Sequence, residues 1–437
     1  MADIRFQFEL MGNGYALSRC SASSEGKSQV VIPSTYNGKP VTKICQGAFG
    51  DAYGVTSIVV PDSVTEIEQG AFSRCWGLEN IKLPAKLTKI SSGTFTDCRK
   101  LTSVTIPSGV KIIENGAFSY CFALKSVTIP SGVTMIGMRA FSQCKSLQSV
   151  VIPDTVTEID YYAFEECESL ASVKLSNRLT RLIPGLFKWC ASLKSIVIPN
   201  SVTSIGYSMF IGCRSLTSVT IPSTVREIGQ QAFSGCGFST FNIPTALAEI
   251  SEGLFADCKN LTKITIPSNI KKIGNGAFSG CASLASITIP NTVTDIGNNL
   301  FRECTNLTSA TLGSAVTKIG GSMFEKCENL TTVKIFGGIT RIDVKAFSQC
   351  RSLTSFTVPD TVTSIGGMAF YECRSLCSVT IGRSVKTIGT SVFNGCWGLS
   401  SVKFLCPNGW LPIKINFADP VAVANYLKQR SPELHRE

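Results

Sequence analysis

Residues 101–125 read LTSVTIPSGVKIIENGAFSYCFALK, and this pattern returns at a 23-residue step along most of the chain. Leu101, Val104 and Ile106 have the spacing of a short strand whose alternate side chains face one way. Pro107 cannot donate to a strand ladder, so it closes the strand and opens a turn. Val110 and Ile113 form a second short apolar segment. Gly116, Ala117 and Phe118 start a tight helical or 3₁₀ turn with Phe118 as the large core plug, and Cys121 turns back inward before Leu124. Each unit therefore presents roughly eight apolar side chains that only a neighbouring unit can cover, which is the physical reason for stacking.

The period is clearest on the phenylalanines. Phe49, Phe72, Phe95, Phe118, Phe141, Phe164, Phe187, Phe210 and Phe233 lie 23 apart; one residue is then missing, and Phe255, Phe278, Phe301, Phe324, Phe347, Phe370 and Phe393 resume the step. The deletion falls in CGFSTFNIP, residues 236–244, where CRSLTSVTIP is the usual form. The expected fold is a repeat solenoid of about sixteen 23-residue units. It is a right-handed leucine-rich-repeat-type coil of short parallel strands joined by short helical or 3₁₀ turns.

The string L-x-x-V-x-I-P-x-x-V-x-x-I-x-x-x-A-F-x-x-C resembles the BspA-like (treponemal-type) leucine-rich repeat, over about residues 30–405. Residues 5–32, with the turn Gly12-Asn13-Gly14, resemble the hairpin cap that precedes such arrays. Residues 404–437, where Asp419-Pro420 reads as a helix start with Pro just inside it, resemble the C-terminal cap. The expected organisation is thus a hairpin cap at 1–32, a solenoid at 33–403 and a cap with a short helix at 404–437. The resemblance implies a cell-surface or secreted protein that binds proteins or other ligands, adhesin-like and without enzymatic activity.

Composition sets further bounds. No run of 18 or more apolar residues is present, so no spanning helix is expected, and no secretory signal is visible at the start of this chain. A cytoplasmic interaction scaffold is therefore the alternative to a surface protein. The formal charge of +11 is a mild excess on 437 residues. Arg99, Lys145, Arg214, Lys259, Arg351 and Arg374 follow the repeat cysteine directly, but their spacing is irregular and nucleic acid is disfavoured as a partner. A protein or glycan partner and a monomeric chain are expected.

Nineteen cysteines invite a metal or disulfide reading, but fifteen of them, Cys75 through Cys396, sit three residues after a repeat Phe. One thiol per coil in a straight line lacks the clustered ligands a zinc site needs. Stacked Cβ atoms about 4.8 Å apart also exceed the roughly 3.8 Å a disulfide prefers. A column of reduced, buried thiols is expected, with Phe118, Cys121, Phe141, Cys144, Phe164 and Cys167 as its central members and no metal or cofactor. Cys20, Cys45, Cys377 and Cys406 fall outside the column and are the candidates for reactivity.

The chain's single histidine, His435, lies in the tail, expected to be mobile, so no Ser-His or Cys-His pair is available for catalysis. Glu165 and Glu166 occupy variable positions expected to be exposed. On the outside, the strand column Thr105, Thr128, Thr220 is small and monotonous. The second segment alternates charge, with Glu66 and Lys89, Glu158 and Arg181, Glu249 and Lys272, and Asp295 and Lys318 as cross-coil neighbours. Tyr120, Phe122, Tyr161, Tyr162 and Trp189 interrupt this plain surface within four consecutive coils, and clustered aromatics of this kind mark interaction sites. They are the candidate interaction patch.

Overall fold

The computed structural model describes residues 4–22, 28–50, 52, 54–411, 417–429 and 433–436. The chain divides into two compact units, Met1–Val225 and Arg226–Glu437. Both are β-solenoids.

In the first unit the coil has three sides. Ser103–Thr105 lies parallel to Ser126–Thr128 with Ser103 opposite Ser126 and Val104 opposite Val127, a register of one full repeat. Lys89–Ile90, Ile112–Ile113, Met135–Ile136 and Glu158–Ile159 form the second parallel sheet. The third side is the turn around the phenylalanine, where Gly93 N–H donates to Asn115 O at 2.8 Å, Phe95 N–H to Ala117 O at 2.8 Å and Asp97 N–H to Ser119 O at 2.8 Å. The turn expected as helical or 3₁₀ does make i to i+3 bonds, such as Cys98 N–H to Phe95 O at 3.1 Å. It is broken, however, by two left-handed residues per coil, for example Gly93 (φ 60) and Asp97 (φ 62). Those reversals keep it from becoming a helix and aim alternate N–H groups at the next coil. All three sides are therefore hydrogen bonded coil to coil, which satisfies the buried backbone.

The interior follows the expected pattern. Leu101, Val104, Ile106, Val110, Ile113, Ala117, Phe118 and Cys121 are all buried. Neighbouring phenylalanine rings stack nearly parallel at 5.1 Å (Phe95–Phe118), 5.2 Å (Phe118–Phe141) and 5.3 Å (Phe141–Phe164). This matches the strand spacing of about 4.8 Å and lies within the preferred range for ring pairs.

The first unit begins with an antiparallel hairpin, β1 (Ile4–Met11) and β2 (Gly14–Ala22). Its turn is Gly12 (φ 58) with Asn13. β2 pairs with Lys39–Ile44, which in turn pairs with Glu66–Ile67 of the second sheet. Residues 1–3 and 23–27 of the expected N-terminal cap lie outside the described residues, as do 412–416, 430–432 and 437 of the C-terminal one.

The second unit repeats the same coil and absorbs the deletion. Phe238 and Phe241, standing where other coils carry Leu and Val or Ile, are buried with ring centroids 4.9 Å apart. Phe241 also reaches Phe255 at 4.8 Å, and Phe233 still stacks on Phe255 at 6.1 Å. Larger rings fill the volume of the missing residue. At the end, helix α1 (Pro420–Leu427) is capped by Asp419, whose Oδ1 accepts from Val421 N at 3.0 Å and Ala422 N at 3.1 Å. The His435 segment, expected to be mobile, is instead a strand: Leu434–Arg436 pairs with Thr387–Ile388 and with Trp410–Leu411.

Because each core ring is held by rings above and below, truncation opens a cavity that rigid neighbours cannot close. Phe141→Ala is expected to cost about 3–5 kcal/mol. Cys144→Ala, which removes one small side chain, is expected to cost about 1–2 kcal/mol. Urea unfolding of the full chain, read as the shift in midpoint at constant slope, checks both; equal costs would contradict the ring stack as the dominant element.

Candidate interaction surface

The thiol column is fixed by geometry. Phe118, Cys121, Phe141, Cys144, Phe164 and Cys167 are all fully buried. Each thiol donates to the carbonyl of the phenylalanine one coil earlier: Cys121 Sγ to Phe95 O, Cys144 Sγ to Phe118 O and Cys167 Sγ to Phe141 O, each at 3.2 Å. Cysteine is thus more than a small hydrophobe here, since it gives a buried carbonyl a second donor. All nineteen cysteines are free thiols. Burial pushes Cys258 and Cys304 up to about 12 and drives Cys121, Cys144 and Cys167 far upward as well. Of the four cysteines outside the column, Cys20 is buried and raised to about 12, Cys45 and Cys406 are half-buried, and Cys377 is exposed. Among the described residues no group of three His, Cys, Asp or Glu side chains is placed to hold a metal ion.

Many charged residues pair across coils. Of the four expected cross-coil pairs, Lys272 and Glu249 meet at 3.5 Å. Lys89 instead takes Glu114, one coil forward, at 2.8 Å, and Glu66 takes Lys43, one coil back, at 3.4 Å. Glu165, expected to be exposed, is buried and paired with Lys188 at 3.2 Å and Arg139 at 3.8 Å. Its neighbour Glu166 accepts from Gln143 Nε2 at 2.5 Å, so the two carboxylates serve separate partners. In the basic column, Arg99 pairs with Asp97 at 2.7 Å, Lys145 with Glu168 at 2.8 Å, Arg351 with Glu328 at 3.0 Å and Arg374 with Glu372 at 3.2 Å. That leaves little of the column as a basic stripe.

The five candidate aromatics fall into two groups on the phenylalanine turn. Tyr120 and Trp189 stand two residues after the core phenylalanine, and Phe122 four after. Tyr161 and Tyr162 stand three and two before it. Tyr120 and Phe122 meet edge to face at 6.1 Å, and Tyr161 and Tyr162 lie 6.4 Å apart. Among the described residues no ring contact joins the groups.

Several of these rings are already occupied. Phe122 lies between Arg99 (5.9 Å) and Lys145 (5.7 Å). Arg99 also covers Trp76 at 5.3 Å, so one column alternates Trp76, Arg99, Phe122 and Lys145 as a cation–π ladder. Trp76 Nε1 donates to Asp97 Oδ2 at 2.8 Å. Burial works to raise the Asp97 carboxyl, but the Arg99 and Trp76 hydrogen bonds outweigh it and hold it below the usual range. Tyr162 lies between Arg139 (5.4 Å) and Lys188 (5.6 Å), and its hydrogen bond to Tyr207 raises the Tyr207 hydroxyl. Trp76 and Tyr207 were not among the candidates, although Trp76 shares the column of Phe122 and Tyr207 that of Tyr161.

Tyr120, Tyr162 and Trp189 all hold left-handed backbone, with φ of 61, 59 and 62. Two lean over a glycine in the next coil. A Cβ on Gly185 would sit 2.2 Å from Tyr162 Cε1, and one on Gly212 would sit 2.3 Å from Trp189 Cε3. Tyr120, Tyr161, Trp189 and Tyr207 remain exposed.

Comparison with known proteins agrees with this architecture. The family model for the BspA type leucine rich repeat region matches residues 27–147, 111–238, 226–353 and 340–410. Similar solved structures include a leucine-rich repeat protein from Bacteroides ovatus, 30% identical, with 92% of each chain covered and a TM-score of 0.64. A leucine rich cell surface protein from Faecalibacterium prausnitzii is 25% identical over 93% of this chain and 96% of that one, with a TM-score of 0.44. The pneumococcal vaccine antigen PcpA shares the fold at 19% identity, 86% and 92% coverage and a TM-score of 0.50. No curated protein matches in sequence.

Thiol accessibility tests the column directly. In the native chain at pH 8, a small alkylating reagent is expected to modify Cys377 first and Cys45 and Cys406 slowly, leaving the fifteen column thiols untouched until denaturant is added. Mass spectrometry of digests reads this out, and early labelling of Cys121 or Cys144 would contradict a closed interior.

Proposed function

From the premise that this chain belongs to the BspA-type leucine-rich-repeat family, we propose that it is a non-enzymatic, adhesin-like binding solenoid of a cell surface, engaging a protein or other ligand through exposed side chains. Families of this kind are typically binding scaffolds. The observation that carries the reading is the division between inside and outside. The interior is filled by rings, aliphatic chains and thiols, and the backbone is committed to coil-to-coil bonds. Recognition is left to outward side chains, where most columns repeat Ser, Thr and paired charges. The exposed aromatics Tyr120, Tyr161, Trp189 and Tyr207 break that monotony in the first unit.

Several features support a non-catalytic reading. The single histidine, His435, is exposed and 3.4 Å from Glu433, while burial pushes column thiols such as Cys121, Cys144 and Cys167 upward. Among the described residues no helix is long and apolar enough to cross a membrane. In this proposal residues 1–32 and 404–437 close the array at its ends, and the chain acts as a monomer. The surface placement rests on the family resemblance.

The reading is tested with the full chain on arrayed extracellular proteins and glycoproteins. Saturable binding to at least one of them is expected, with at least a tenfold loss, about 1.4 kcal/mol, in the Tyr161→Ala/Trp189→Ala double variant. Binding that the double variant leaves intact would move recognition off the aromatic surface, and no saturable binding to any arrayed protein would remove the proposal.

A further inference from the structure

Trp189 differs from Trp76, the other tryptophan of the first unit. The Trp76 indole N–H is taken by Asp97 and its ring by Arg99. Trp189 is 42% exposed, and among the described residues neither a hydrogen bond to its indole N–H nor a cation over its ring is present. Arg214, in the next coil, likewise has no ion pair or hydrogen bond from its guanidinium among the described residues. Other side chains on the surface also lack a partner among the described residues, Lys259 and Trp397 for instance, but these two unpaired groups face one cleft.

That cleft, about 410 Å³, is lined by Glu166, Glu168, Trp189, Ala191, Gly212 and Arg214. The residues come from three consecutive coils and two columns, two and four residues after the core phenylalanine. Its opening has a sequence cause. Ala191 stands in the column where the flanking coils carry Glu168 and Arg214, so one long side chain is missing beside the indole. Gly212 accepts the leaning ring, which no residue with a Cβ could do without displacement.

The chemistry selects a ligand class. Lys145 holds Glu168 at 2.8 Å and Gln143 holds Glu166 at 2.5 Å. Counting Lys145 and Arg214 against Glu166 and Glu168, the formal charge around the cleft balances, which favours a neutral ligand. The ligand must lay an apolar face on an indole, donate to carboxylates and accept from a guanidinium. A sugar ring does all three, through its C–H face and vicinal hydroxyls. An extended peptide would need free backbone to pair with, yet Trp189 N–H already donates to Ile211 O at 2.6 Å and Glu166 N–H to Lys188 O at 2.8 Å. The volume suits one or two rings and lies in the usual range for small-ligand sites. We infer that the cleft between Trp189 and Arg214 is a binding site for a neutral pyranose, giving the binding solenoid proposed above a glycan-recognising position.

The experiment uses the full chain and a panel of methyl glycosides of glucose, galactose, mannose and N-acetylglucosamine, with saturation-transfer NMR and calorimetric titration. At least one glycoside is expected to saturate with Kd on the order of 1 mM. Trp189→Gly, which places at this column the residue Gly212 already supplies one coil on, is expected to weaken that binding at least tenfold while thermal unfolding stays near wild type. Ala191→Arg fills the cleft with the side chain the next coil carries and is expected to abolish binding without loss of fold. If no glycoside in the panel saturates, or if binding survives both variants, the site is overturned. Capture of an arrayed protein in the preceding experiment would persist in that case, so the two readings fail separately.

Discussion

The rise from one coil to the next governs this molecule. A parallel strand pair fixes that rise near 4.8 Å, and anything repeated once per coil must tolerate a copy of itself at that distance. Aromatic rings tolerate it well: the core phenylalanines settle into stacks of 5.1–5.9 Å in the first unit, apart from the tilted first pair, Phe49–Phe72, at 4.9 Å. Thiols tolerate it too, because each reaches back to the previous coil's phenylalanine carbonyl instead of to its neighbouring sulfur. Like charges tolerate it less well: in places the surface alternates signs or inserts a ring between cations, as Phe122 does between Arg99 and Lys145, although Lys318 stands opposite Arg341.

Much of this was legible in the residues because it depends on period alone. The one-repeat register of the parallel pairs within the array, the burial of Leu101, Val104, Ile106 and Cys121, and the start of the last helix at Asp419 follow from spacing and local chemistry. The turn reads from the sequence as helical or 3₁₀; its interruption by left-handed residues was not legible, because that shape is set by the need to bond the next coil, which a single repeat cannot display. The burial of Glu165 escaped for a related reason: its partners, Lys188 and Arg139, lie one coil forward and one coil back. His435 was misplaced as loose because its strand pairs with Thr387, a non-local contact that carries no periodic mark.

The surface aromatics show what a column reading adds to a list of aromatic residues. Five residues chosen for proximity in sequence separate into two groups, and two of them, Phe122 and Tyr162, are held between cations once their columns are followed. Trp76 and Tyr207 could have been found by the same route. So could a pairing rule within the left-handed columns: Tyr162 precedes Gly185, Trp189 precedes Gly212, Asp257 precedes Gly280 and Glu372 precedes Gly395, each long side chain leaning into the space its successor lacks. The rule turns a backbone requirement into side-chain placement, since glycine satisfies the left-handed φ without cost and also makes room.

That coupling explains why a site can arise on so uniform a scaffold. Holding a bulky residue at positive φ costs on the order of 1–3 kcal/mol, and at Tyr162 the ring repays it by reaching over Gly185 to Tyr207, between two cations. Trp189 bears the same strain with neither a cation nor a hydrogen bond in return. The glycine beneath it and the alanine beside it remove the side chains that would otherwise cover its ring. The gap so left opens in the direction of the unpaired Arg214 guanidinium. Strain kept without an internal partner, next to space kept without a filler, is the physical pattern of a surface waiting for a ligand.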